Sequence, residues 1–129
     1  MIKQKLEEVR ALIKESAESV GRKYEDVTLV AVTKTHGADV INEAIKCGVT
    51  DIGENKVQEI LEKYDDVLPV RWHLIGHLQT NKVKYIIDKV CMIHSVDSVR
   101  LMDEIERSAI KKGIPAMDIL IEVNISGEE

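Results

Sequence analysis

Apolar, β-branched runs recur along this chain at a step of about twenty-one residues, each followed by apolar positions at helical spacing. The runs occupy residues 28–33, 50–54, 70–75, 91–96 and 118–125. Between them lie the stripes Val40, Ile41, Ala44, Ile45; Val57, Ile60, Leu61, Tyr64; a third over residues 80–88; and Leu101, Met102, Ile105, Ala109. A helix over residues 2–20, with Leu6, Val9 and Ile13 on one face, precedes the first run. Gly21 follows it, where a left-handed cap is common. Strand and helix alternating at this step require parallel strands joined by right-handed crossovers. Runs as continuously apolar as 28–33 suit strands buried on both faces.

Two α/β architectures satisfy that pattern, a doubly wound open sheet and a (β/α)8 barrel. Both place chemistry at the C-terminal ends of the strands. There the sequence puts Lys34, Glu54 with Asn55, Gly76, Asp97, and Asn124 with Ser126. A complete barrel typically needs on the order of 250 residues. Residues 1–129, read as one domain with no linker, therefore resemble a barrel cut open after its fifth strand.

Several function classes drop out early. The net charge of −5 argues against a nucleic-acid surface, which needs clustered Lys and Arg. Lys3, Lys5, Glu7, Glu8 and Arg10 interrupt the first helix, so it reads as neither signal peptide nor membrane span, and the cytoplasm is the expected address. Cys47 and Cys91 are far apart, and His36, His73, His77 and His94 show no ligand spacing, so no metal site is expected. The seven glycines form neither a GxGxxG nor a Walker loop, which argues against nucleotide binding.

Among the polar residues, Lys34 is the most informative. It ends an apolar strand, so its stem lies in the core and its amine faces the rim. Such a lysine can attack a carbonyl as a Schiff-base former, or simply snorkel to solvent. Asn55 can hold a ligand hydroxyl or cap the following helix. His73 lies inside the third strand, where a satisfied core histidine and an acid/base are both open readings, and Trp72-His73-Leu74 admits either facing. Trp72 is expected to pack on a crossover helix. Thr80 or Asn81 is a candidate helix cap, and Asp97-Ser98 reads as an N-cap pair.

Taken in order, these segments resemble the pyridoxal phosphate homeostasis family (YggS/PROSC-like). Leu29-Val30-Ala31-Val32-Thr33-Lys34-Thr35 resembles its first-strand motif. Ile52-Gly53-Glu54-Asn55 with Gln58-Glu59 resembles its second. Trp72-His73-Leu74-Ile75-Gly76, Leu78-Gln79 and Asn81-Lys82 match its WHxIGxLQxNK signature. His94-Ser95-Val96-Asp97-Ser98 and Val123-Asn124-Ile125-Ser126 match its fourth and fifth strands. The resemblance covers essentially the whole chain.

It implies an α/β fold, a parallel (β/α) barrel of the alanine racemase N-terminal-domain type, here of about five strands. It implies that Lys34 forms the Schiff base with pyridoxal 5'-phosphate and that Asn55 and His73 line the cofactor site. The implied role is binding and delivery of that cofactor rather than catalysis. Gly37 departs from the family, which usually has proline there. The strands that grip the phosphate in the family would follow Ser126, so cofactor binding by this chain is expected to be impaired. Two other readings compete: a racemase-like enzyme, for which Tyr24, Tyr64 and Tyr85 offer no strand-end acid/base, and a cofactor-free half-barrel. Open sheet edges at the first and fifth strands are expected to favour a homo-oligomer.

Overall fold

The computed structural model describes residues 1–127; Glu128 and Glu129, part of the expected domain, lie outside the described residues. The elements alternate as expected. They run α1 (Ile2–Ser19), β1 (Ala31–Val32), α2 (Ala38–Lys46), β2 (Asp51–Glu54), α3 (Val57–Lys63), β3 (Arg71–Leu74), α4 (Val83–Ile86), β4 (Met92–Val96), α5 (Val99–Lys111) and β5 (Asp118–Ile121). Five parallel strands form one sheet in the order β1-β2-β3-β4-β5. A doubly wound sheet must reverse its strand order midway. This one never does, so with crossovers of one hand every helix lies on the same face. That is the barrel type of winding.

The core fills the space between the sheet and its helices. Ile52, Leu74 and Ile93 from the strands meet Ile41, Ile60, Val83, Ile86 and Leu101 from the helices, all at 2% exposure or less. Trp72 joins them, its ring 5.5 Å from that of Tyr64 at the end of α3, as its sequence context suggested. Gly21 and Gly113 adopt positive φ just past α1 and α5. Ser98 caps α5 by accepting the Leu101 N–H at 3.1 Å.

Three expectations need correction. The first strand is not buried on both faces: it shrinks to two residues, and Val32 is 52% exposed. Its run of β-branched residues has a neighbour, β2, along only one edge. The third helix was expected over 80–88 but is a 3₁₀ turn, Thr80–Lys82, followed by the single α-turn of α4; neither Thr80 nor Asn81 caps it. The fifth strand ends at Ile121 rather than 125. Its pairing with β4 closes at Val96↔Ile121, leaving Val123 and Ile125 exposed.

Candidate functional site

Parallel pairing fixes which strand-end residues share a level. Val32 pairs with Gly53 and Glu54 with Leu74. One further bond extends each ladder, Thr33 N–H to the Gly53 carbonyl at 3.0 Å and Ile75 N–H to the Glu54 carbonyl at 2.9 Å, so Lys34, Asn55 and Ile75 all follow the strand ends on one rim. His73 pairs with Gly53, so it sits two residues, roughly 7 Å, below that rim. Side chains alternate along a strand. Leu74 and Trp72 point into the helix layer, so His73 occupies the opposite, inner face, which settles the facing that the sequence left open. Lys34 lies in the turn just past β1, where that alternation no longer applies. It is exposed, and among the described residues it makes no ion pair.

The backbone on both sides of Lys34 is pinned from the helix layer. Lys63 Nζ, on α3, donates to Glu54 Oε1 at 2.7 Å, Glu59 Oε2 at 3.1 Å and the Thr33 carbonyl at 3.2 Å. Thr33 Oγ1 donates to Glu54 Oε1 at 3.0 Å, and the Thr35 N–H donates to Glu59 Oε2 at 3.2 Å. Thr35 holds φ at +66°, a conformation that β-branched residues strongly avoid. Strain of that kind, about 1–3 kcal/mol, persists only where the surroundings over-determine it and clusters at functional sites. Here the surroundings are the Glu54–Lys63–Glu59 cluster. Glu54 ends β2 as expected but turns its carboxylate away from the rim, fully buried; among the described residues its Oε2 has no partner. Burial pushes the Glu54 carboxyl up, and the nearby Glu59 adds to this against Lys63 and Thr33. Burial alone would lower Lys63, but its bonds to Glu54 and Glu59 win and raise it. The same bond from Lys63 holds Glu59 down.

Asn55 does not cap α3. The N-cap is Lys56, without a side-chain bond, and among the described residues no side-chain hydrogen bond engages Asn55. Its backbone, however, is tightly held. A Cβ on Gly76 would lie 2.4 Å from the Asn55 carbonyl oxygen, so only glycine lets the loop after β3 approach Asn55 this closely.

His73 is 3% exposed with both ring nitrogens engaged, Nε2 at 2.7 Å from Asp51 Oδ2 and Nδ1 at 2.9 Å from His94 Nε2. It forms the floor beneath the rim rather than part of it. Burial alone would raise Asp51, but bonds from His73 and Thr50 and the Arg71 guanidinium outweigh it and hold the carboxyl low. Burial and the neighbouring His73 push His94 down, which favours its neutral form. Neither Asp51 nor His94 stood out as a partner of His73 in the sequence. The available signal was phase: Asp51 with Gly53 and Arg71 with His73 place polar or small residues on one face of otherwise apolar strands, and His94 stands alone as the polar residue in that phase of β4.

No family model matches the chain. It is 45% identical over 128 residues to the pyridoxal phosphate homeostasis protein of Aquifex aeolicus, across 98% of this chain and 56% of that protein. It is 37% identical over 135 residues to the human protein of the same name, across 94% of this chain and 49% of the other. This chain is a homologue of the pyridoxal phosphate homeostasis proteins. It spans about half the length of the curated homeostasis proteins it matches. Among solved structures, PipY of Synechococcus elongatus with PLP bound superposes with a TM-score of 0.83 at 32% identity, over 99% of this chain and 57% of PipY. An unknown protein from Bifidobacterium adolescentis superposes with a TM-score of 0.87 at 36% identity, over 99% and 56% of the two chains. The α/β fold of this chain, with its barrel-type winding, is that of the matching half of PipY. No helix among its described residues is long and apolar enough to cross a membrane.

Proposed function

We propose that this chain binds pyridoxal 5'-phosphate in the cytoplasm as part of cofactor homeostasis, holding it as a Schiff base on Lys34. Residues 1–129 act as a single (β/α) domain in this role. The observation that carries the reading is the pinned, strained backbone around Lys34, with Thr33 and Thr35 both tied to the Lys63 cluster. Such a backbone fixes where the Lys34 stem leaves the chain, so bonding need order only the side chain itself. The bound group supplies an aldehyde for the amine and a phosphate for anchoring. Asn55, on the same rim as Lys34 and with its amide uncommitted, would orient the ring. His73 contributes a polar floor, since both its nitrogens already have partners.

The sequence relationship to homeostasis proteins and the likeness to PLP-bound PipY support the cofactor. A barrel's phosphate site typically sits after strands seven and eight. The five strands among the described residues supply the lysine side of the site. Carrier function is favoured over racemase-like catalysis because Tyr24, Tyr64 and Tyr85 all lie in helical turns or at their caps, away from the strand ends. The net charge of −5 speaks against a nucleic-acid partner.

The test is covalent trapping. The chain is incubated with PLP, reduced with borohydride and mapped by mass spectrometry beside Lys34→Ala. Label concentrated on Lys34 and lost in the variant is the expected result. Label spread evenly over surface lysines, unchanged in the variant, would instead make this a cofactor-free half-barrel.

Self-association is proposed as well. Among the described residues β1 pairs only with β2 and β5 only with β4. Beside β1, Leu6, Val9, Ala31, Val32, Val40 and Ile41 line an apolar groove of about 590 Å³. Light scattering at micromolar concentration should give a mass of at least two chains. A well-folded monomer would remove the idea.

A further inference from the structure

We propose that Asp51, His73 and Cys91 form a site for a zinc-type divalent ion on the floor of the inner face. One carboxylate oxygen, one imidazole nitrogen and the Cys91 Sγ lie within 4.8 Å of one another. Three adjacent strands deliver them: Asp51 opens β2, His73 lies in β3, and Cys91 directly precedes β4. Asp51 and His73 are each 3% exposed, and Cys91 is half-buried with its N–H bonded to the Trp72 carbonyl at 2.8 Å. One oxygen, one nitrogen and one sulfur suit a borderline-soft ion far better than magnesium or calcium. Zinc bonds of about 2.0–2.3 Å set tetrahedral ligand atoms roughly 3.5 Å apart. Small side-chain rotations therefore close the site, and water completes the coordination.

An outer shell is already in place. Thr50 Oγ1 donates to Asp51 Oδ1 at 2.8 Å, which leaves Oδ2 to ligate, and His94 Nε2 lies 2.9 Å from His73 Nδ1. Such partners fix the orientation of ligands and the tautomer of a ligating histidine. Arg71 stands 3.5 Å from Asp51 Oδ2, but its side chain is 64% exposed and swings to solvent as the ion enters. The proton shared between His73 Nε2 and Asp51 moves away. His73 then carries its proton on Nδ1 and donates to His94, whose own proton sits on Nδ1. The Cys91 thiol proton is released, so one proton leaves overall, and carboxylate and thiolate neutralise the ion.

The ion would clip three strands together below the rim, independently of any cofactor. In the absence of PLP, metal-free chain should take one equivalent of zinc from a chromophoric indicator. Cobalt should give a thiolate charge-transfer band. Cys91→Ser should abolish that band, and Cys91→Ser and Asp51→Asn should each weaken zinc binding at least about tenfold. His94→Ala should weaken it about 10–100-fold as a positioning residue, while Cys47→Ser should leave it unchanged. Circular dichroism checks that each variant is folded. No zinc uptake, no thiolate band in the native chain, or native affinity in a folded Cys91→Ser would each overturn the site.

Discussion

Replacing Lys63 by Met should lower the unfolding free energy by about 3–5 kcal/mol, because it strands a buried carboxylate that has lost its cation. Lys63 is 13% exposed and Glu54 fully buried, so solvent cannot take over the lost contact. The double variant Lys63→Met/Glu54→Leu should recover most of the loss, since an apolar pair of similar size is often no worse than a buried ion pair. Urea denaturation decides it: a loss under about 1 kcal/mol for the single variant, or no recovery in the double, would mean the cluster is decorative. The pH dependence follows from the directions of the shifts. Lys63 titrates above its ordinary 10.5 in the folded chain, so its contribution is complete below that value and fades as pH climbs through the raised one. In the Met variant Glu54 and Glu59 remain without their cation, and the buried Glu54, already raised above its ordinary 4.5, loses the bond that held it down. Protonation of Glu54 removes the stranded charge, so the defect should shrink toward pH 4 and deepen toward neutrality.

The second large effect belongs to Leu74. It is fully buried between the sheet and the helix layer, and Leu74→Ala should cost about 2–5 kcal/mol through lost contacts and an unfilled cavity. Val32→Ala, on the half-exposed inner face of β1, should change stability by less than about 0.5 kcal/mol. Thermal or chemical unfolding of the two variants side by side tests whether stability resides on the helix face of the sheet. Equal losses would contradict that division.

The same division explains what could be read from the sequence. Continuous apolar runs reported the five strands because the helix-facing core demands them, and the unbroken strand–helix rhythm limited the fold to two windings. Only pairing could choose between those, since strand order is a property of neighbours and leaves no mark within any one segment. β1 was over-extended for a related reason. Val30, Val32 and Thr33 have strand propensity, but ladder bonds need a neighbour, and β2 alone supplies them. Lys34 was legible because a cation ending an apolar run is conspicuous. Its supports were not: Lys63 and Glu59 look like ordinary surface charges on α3 until the fold turns them toward Thr33 and Thr35. Asp51, Cys91 and His94 stayed hidden because they meet His73 across strands, about twenty residues apart, where no motif with short spacing can register them.

The sequential strand order also bears on how this polypeptide comes to be built. Each strand pairs only with those before and after it in the sequence, so each closing loop is short and costs little chain entropy. Such a sheet can grow vectorially, one β/α unit at a time, as the chain leaves the ribosome. Each new unit adds to a finished edge without disturbing the pairings behind it, as neighbouring units do in repeat proteins. The unit boundaries are thus natural seams, places where the architecture tolerates being lengthened, divided or complemented by another piece.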